Sequence, residues 1–129
     1  MVISNKQNQK DLIELNDLNQ SFELIDLNII GNELSKNKYD ILVFYSDYNL
    51  TINQSILYGY LNCLKTNRFE GTVGTLKIPG GAFELPLLTS KIIRKYSPKL
   101  CLVVGCIIKG ETQHYEFLSS TVTLSLIHI

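Results

Sequence analysis

The sequence is short of cysteine and histidine and carries no excess of charge of either sign, and each shortage rules something out. Three cysteines, Cys63, Cys101 and Cys106, form an odd count without framework spacing. That excludes a disulfide scaffold and points to a reducing compartment, read here as the cytoplasm. His114 and His128 are the only histidines and no CxxC pair occurs, so a metal site is not expected. Lysine plus arginine number 12 and aspartate plus glutamate 12, which leaves neither a nucleic-acid footprint nor a polybasic membrane patch. No apolar run approaches the roughly 18 residues a membrane-spanning helix needs. Asp11, Glu14, Asp17, Glu23, Asp26 and Glu33 crowd the start of the chain, whereas an organelle transit peptide is poor in acids. No apolar stretch follows Met1, so a secretory signal is not expected either.

What remains is an ordinary globular composition. With 129 residues and 45% hydrophobic content, one domain with a real core is the natural expectation. Residues 1–39 stand apart, rich in Asn, Gln, Lys and Asp. Leu12, Leu15, Leu18 and Phe22 fall near helical spacing, and Glu23–Ile30 is a candidate strand. This segment reads either as a loosely ordered arm or as an arm that packs on a neighbouring subunit.

From residue 40 the pattern sharpens. Ile41–Tyr45 is a continuous apolar run, as a parallel strand covered on both faces requires. After the polar turn Ser46–Asn49, Thr51 is placed to cap a helix reaching Thr66, with Ile52, Ile56, Leu57, Tyr60, Leu61 and Leu64 as its apolar stripe. Glu70–Gly74 breaks the chain and Thr75–Ile78 reads as a second strand, ended by Pro79, Gly80 and Gly81. Phe83–Tyr96 is a second helix with Leu87, Leu88, Ile92 and Ile93 inward, and Pro86 is tolerated in its first turn. Leu100–Ile108 is the strongest strand, and a third helix starts near Gln113. The alternation β-α-β-α-β-α predicts an α/β fold, a three-layer α/β/α sandwich around a parallel sheet with right-handed crossovers.

In open parallel sheets ligands sit beyond the carboxyl ends of the strands. Three turns follow strands here, at 46–49, 79–84 and 109–114, and all project from one edge. In the third, Gly110 permits close backbone approach, Thr112 offers a hydroxyl, and the amides of Glu111, Thr112 and Gln113 open a helix, where an anion such as phosphate is favoured. His114 stands at the same helix start, and imidazole exchanges protons near neutral pH. The bland alternative is a tight turn with a capping residue and a surface histidine. In the second turn Glu84 is either a helix-terminal carboxylate favoured by the dipole or an acceptor for a polyol or amine. In the first, Tyr48 is either packing or a plate on which a flat heterocycle stacks.

Three segments in order carry a family resemblance. Asp47-Tyr48-Asn49 is similar to the Arg-Phe/Trp-Asn turn of lumazine synthases. Ile78-Pro79-Gly80-Gly81-Ala82-Phe83-Glu84-Leu85-Pro86 resembles their Val-Pro-Gly-Ala-Phe-Glu-Leu-Pro. The stretch from Val104 through Gly105-Cys106-Ile107-Ile108-Lys109-Gly110-Glu111-Thr112-Gln113-His114 to Phe117 is similar to Leu-Gly-Cys-Val-Ile-Arg-Gly-Glu-Thr-Pro-His-Phe-Asp-Tyr. The resemblance spans about residues 40–126; the 1–39 arm has no counterpart in it, and 127–129 reads as a tail of doubtful origin.

The resemblance implies the flavodoxin-like lumazine synthase fold and the penultimate step of riboflavin synthesis. That step condenses 5-amino-6-(D-ribitylamino)uracil with 3,4-dihydroxy-2-butanone 4-phosphate, giving 6,7-dimethyl-8-ribityllumazine without metal or organic cofactor. By the same resemblance Tyr48 stacks on the pyrimidine and Asn49 shapes its turn. Ala82, Phe83 and Glu84 hold the ribityl chain and ring, and Cys106, Ile107 and Ile108 line the ring pocket through their backbone. Gly110, Glu111 and Thr112 receive the phosphate, and His114 is the acid–base residue. The implied assembly is a homo-oligomer, a pentamer or an icosahedral shell of pentamers, with sites shared between neighbours.

Three departures stand out: Asp47 in place of Arg, the extra glycine at 80–81, and Lys109 for Arg. Family members also continue past the third helix into a further strand and two helices. The chain is therefore expected to be cut short, with Leu100–Ile108 left as an aggregation-prone edge and weak or no activity on its own. Leu124–Ile129 resembles translated adapter sequence, so His128 is given no role. The alternatives are a non-catalytic ribityl-lumazine- or flavin-binding or assembly protein on the same fold, and an unrelated flavodoxin-like binding module.

Overall fold

The run Ile-Leu-Val-Phe-Tyr-Ser forms strand β2, Ile41–Ser46, and every one of its residues is buried. A strand with no exposed face needs a layer on each side, and the computed structural model supplies both. It describes residues 21–27 and 38–129. The helical pattern through Leu12, Leu15 and Leu18 lies outside the described residues, as do residues 28–37.

Strand β1, Glu23–Leu27, pairs parallel with β3, Thr72–Ile78; β3 pairs with β2, and β2 with β4, Leu100–Val104. The order is β1-β3-β2-β4, all parallel. The sheet thus gains a strand from the segment before residue 40, where Glu23–Ile30 was a candidate, and β4 lies at its outer edge among the described residues.

Side chains alternate across the sheet and divide the core in two. One face presents Ile41, Val43, Tyr45, Val73 and Val104 to Leu57 and Leu61 of helix α1, Leu50–Thr66, with Phe22 closing the cluster. The other presents Leu27, Leu42, Phe44, Leu76 and Ile78 to Leu85 of helix α2, Leu85–Tyr96, and Val122 of helix α3, His114–Ile127. The result is the three-layer α/β/α arrangement expected of the alternation.

The elements depart from the sequence reading in five places. Thr51 does not cap α1. Asn49 does, in the left-handed conformation (φ 56°, ψ 44°) that asparagine tolerates better than most residues, and its carbonyl accepts the Ile52 and Asn53 amides. Ile52 and Ile56 stay exposed, because Asn53 and Gln54 take the inward positions in the first turns. Strand β3 starts at Thr72 rather than Thr75, since Gly74 is a site of close approach and not a break. A Cβ there would lie 2.7 Å from Leu42 Cδ2 and 3.0 Å from Tyr39 Cδ1. Strand β4 ends at Val104 rather than Ile108, because its partner β2 turns away after the Tyr45–Val104 pair and leaves the next residues without a ladder. Finally, a 3₁₀ turn, Ala82–Glu84, precedes α2, which rotates Leu87 outward to 63% exposure and Leu85 and Thr89 inward.

At the opposite edge from the site, Asp40 joins three strands. Its amide donates to the Thr72 carbonyl, and its own carbonyl accepts the Lys99 and Leu100 amides. The carboxylate accepts the Thr72 amide at 2.9 Å and meets the Lys99 ammonium at 2.7 Å. The Lys99 contact, then the Thr72 amide, hold this carboxyl below the usual range. A depressed carboxyl contributes stability above its unfolded value, near 3.9, and loses it as the pH falls through the folded value. The acid limb of a Tm–pH profile should therefore flatten in Asp40→Asn below about pH 5. High salt should reproduce part of that change in the wild type, because the Lys99 side chain is largely exposed.

Candidate functional site

Because the strands are parallel, the turns after β2, β3 and β4 gather at one edge of the sheet. Between them and the start of α3 lies a cleft of about 560 Å³. Tyr48 comes from the first turn; Gly81, Phe83 and Glu84 come from the second; Cys106 comes from the third. Helix α3 closes the cleft with His114, Phe117, Leu118 and Thr121.

The first turn is held from several sides. Asn53 is fully buried, and its amide donates to the carbonyls of Ser46 and Tyr48, both at 2.9 Å. Ser46 Oγ accepts the Tyr48 amide at 3.1 Å and donates to the Gly80 carbonyl. Asn49 Nδ2 donates to the Cys106 carbonyl at 3.4 Å, so first and third turns also touch. Tyr48 itself is 64% exposed, a ring held by its backbone and free on its face. Phe83, at 63%, offers a second exposed ring from the adjacent turn. Two open aromatic surfaces over an apolar cleft suit a flat, partly polar heterocycle.

In the second turn Gly80 adopts φ +95°, which a side chain rarely takes, and a Cβ there would sit 2.8 Å from Glu84 Cδ. The glycine backbone thus abuts the Glu84 carboxylate. Glu84 precedes α2, where a negative charge is favoured by the helix dipole, yet it also lines the cleft. The helix start and the cleft wall thus fall on one residue, and its side chain makes no cap hydrogen bond.

In the third turn Thr112 Oγ1 accepts the His114 amide at 3.4 Å, the local bond of a helix start. Gly110, Glu111 and Thr112 are exposed and lie beside the cleft rather than in its wall. Lys109 pairs with Glu116 at 3.5 Å. Cys101, half-buried in β4, has its thiol pushed up to about 11 by burial and stays protonated at neutral pH.

Of the residues singled out from sequence, Tyr48, Phe83, Glu84, Cys106 and His114 thus meet around one cleft. Asn49 reaches it only through the Cys106 carbonyl. Ala82 is buried in the core cluster beneath, Ile107 packs against that cluster, and Ile108 is 65% exposed away from the wall. Sequence reasoning missed Phe117, Leu118 and Thr121. Their signal was available: with His114 they fall at i, i+3, i+4 and i+7, one face of a helix. Among the described residues no group of three or more His, Cys, Asp or Glu is placed to hold a metal ion, and no helix is long and apolar enough to cross a membrane.

A parallel α/β sheet with its cleft at the carboxyl edge, walled by aromatic rings, a carboxylate and a histidine at a helix start, places the chain in the class of open α/β sheets, whose ligands as a rule sit beyond the strand ends. Residues 38–129 match the family model for 6,7-dimethyl-8-ribityllumazine synthase, and the chain belongs to that family. It is similar to the 6,7-dimethyl-8-ribityllumazine synthase of Buchnera aphidicola, 35% identical over 99 residues, covering 74% of this chain and 60% of that protein. The Clostridium kluyveri protein of the same name is 34% identical over 94 residues, 71% of this chain and 58% of its own. A Caulobacter vibrioides relative, 6,7-dimethyl-8-ribityllumazine synthase 1, is 34% identical over 88 residues, 67% of this chain and 56% of its own. The chain thus spans about six-tenths of the length of these curated relatives.

Proposed function

We propose that the protein to which these residues belong acts in riboflavin biosynthesis, condensing 5-amino-6-(D-ribitylamino)uracil with 3,4-dihydroxy-2-butanone 4-phosphate to 6,7-dimethyl-8-ribityllumazine. The observation that carries this reading is the convergence of Tyr48, Glu84 and His114 on one cleft, in a chain of the lumazine synthase family. In this reading Tyr48 stacks on the uracil ring and Asn49 shapes the turn beneath it. Ala82, Phe83 and Glu84 face the ribityl chain and ring, with the Glu84 carboxylate accepting from hydroxyl or amine hydrogens. Cys106, Ile107 and Ile108 offer backbone groups to the ring. Gly110, Glu111 and Thr112 take the phosphate at the start of α3, whose dipole favours an anion.

His114 then stands between the two binding regions, where protons must move. The ring amine condenses with the single carbonyl of the butanone phosphate and water leaves. Loss of a proton from the adjacent carbinol carbon expels phosphate from its neighbour, and the enol so formed takes up a proton to become a ketone. The ribityl-bearing nitrogen closes on that new ketone and a second water leaves. Imidazole can accept and return protons in these steps without a cofactor. Holding both substrates in one cleft supplies much of the acceleration, on the order of 7–11 kcal/mol in well-oriented systems. The protein works as a homo-oligomer, a pentamer or an assembly of pentamers, in the cytoplasm.

One observation favours the alternative of a protein that binds a ribityl-lumazine or flavin without turning over: Gly110, Glu111 and Thr112 lie outside the cleft wall, and Lys109 is paired with Glu116. Mixing the two substrates with the intact protein and following the product's fluorescence decides between them. Lumazine formed above the uncatalysed rate supports the enzyme. Tight product binding without formation supports the alternative, and neither activity nor binding sinks both.

A further inference from the structure

Two of the three departures from the family pattern, Asp47 and the added glycine, meet in space. Asp47 Oδ1 accepts the Gly80 amide at 2.8 Å, and the Asp47 amide donates to the Ile78 carbonyl at 2.9 Å. The Gly80 carbonyl accepts from Ser46 Oγ and from the Tyr48 amide. Gly80 is therefore gripped at both ends of its backbone by three consecutive residues of the first turn. Its φ of +95° and its contact with Glu84, where a Cβ would fall 2.8 Å from Cδ and 3.0 Å from Oε2, make its position the seat of that carboxylate.

We infer that Asp47 is a positioning residue: through Gly80 it sets the distance and angle between the Tyr48 ring and the Glu84 carboxylate, and so the fit of the ring-plus-polyol substrate. An arginine at 47 has no acceptor for the Gly80 amide. The added glycine supplies the conformation that brings that amide to a carboxylate. The charge assists the bond: a carboxylate accepting N–H binds roughly twice as strongly as a neutral acceptor. The second substrate, which carries the phosphate, meets neither Tyr48 nor Glu84 in the proposed reading, so the clamp acts on one substrate only.

This inference rests on the proposed reaction, and its test has one arm that does not. In Asp47→Ala, amide hydrogen exchange at Gly80 should accelerate by at least about tenfold, the loss of one charge-assisted bond, while exchange in β2 and β3 stays as in the wild type. Asp47→Asn, which keeps an acceptor oxygen, should hold most of the protection. In the kinetic arm, Asp47→Ala should raise the KM for the ribitylaminouracil about tenfold, since small misplacements in a bound pair are costly. The KM for the butanone phosphate should stay within about twofold, and Asp47→Asn should restore most of the difference. Unchanged Gly80 exchange overturns the clamp whatever the protein catalyses. Changed exchange with both KM values unchanged, or both raised together, overturns its role in substrate fit. Absence of turnover in the wild type is a failure of the proposed reaction instead, and the exchange result then stands alone.

Discussion

Replacing His114 with alanine is expected to lower kcat for lumazine formation by about 10²–10⁴-fold, the usual worth of a positioned general acid–base. His114 opens α3 and lines the same cleft as Tyr48. The side chain is exposed, so it gives the fold little by packing. Helix α3 is seated by Leu118, Val122 and Leu126, which pack on the core behind it. Alanine is also the best helix former, so Tm should move little. If the substitution acts on proton transfer, the KM for the ribitylaminouracil should change by less than about threefold while kcat falls. His114→Gln, which keeps hydrogen bonding without the proton-exchanging ring, should be nearly as poor. Turnover within about twofold of wild type in His114→Ala would remove His114 from the chemistry.

The largest effect on stability is expected at Phe44. Its ring is fully buried in the central strand, between Leu76 of β3 and Val103 of β4 in register, and belongs to the cluster covered by α2 and α3. Truncation to alanine removes its transfer energy and leaves a cavity that fixed strands on both sides cannot collapse. The cost is about 3–5 kcal/mol. Against a total of about 5–15 kcal/mol for a domain of this kind, that is a large share, and Tm should fall by 10 °C or more, on the order of the usual shift per kcal/mol. Tyr48→Ala, by contrast, removes a ring that is 64% exposed and should change stability by less than about 0.5 kcal/mol while weakening binding of a ribityl-bearing heterocycle. Chemical denaturation of the two variants, read as midpoint at constant m-value, separates them. Equal losses would mean that the Tyr48 turn is part of the core and not a surface held for a ligand.

How much of this was legible in advance depended on which force decides each position. Strand β2 could be read because a strand buried on both faces leaves no polar residue in the run from Ile41 to Tyr45. The convergence of the three turns followed from the parallel order alone. Where closeness of backbone or choice of partner decided, the sequence was mute. Gly74 reads as a break because a missing side chain signals a turn locally, yet here it lets Leu42 and Tyr39 approach. Leu100–Ile108 reads as one long strand because its composition is uniform, but its pairing ends where β2 turns. Thr51 is a sound cap by type, but Asn49 can enter the left-handed region two residues earlier and start the helix there. Helix α3 hid half of the cleft wall, since it is apolar on most of its circumference: Phe117, Leu124 and Ile127 are exposed while Leu118 and Val122 pack. The stripe His114, Phe117, Leu118 and Thr121 is there at helical spacing, but apolar residues on the other faces compete with it.

The site followed the same division. Tyr48, Glu84 and His114 were singled out because each lies in a turn that follows a strand, and Phe83 and Cys106 only through the family resemblance; all five line the one cleft. The link between Asp47 and Gly80 was not, because it joins residues 33 apart through a backbone amide.

The most direct measurement is the structure of the intact protein with 6,7-dimethyl-8-ribityllumazine bound. The expected result is the fused ring against Tyr48 in the cleft between the three turns, the ribityl hydroxyls within hydrogen-bond reach of Glu84, and His114 beside the ring atoms formed in the condensation. A ligand seated elsewhere on the molecule, or one in the cleft with Glu84 and His114 both turned away from it, would contradict it.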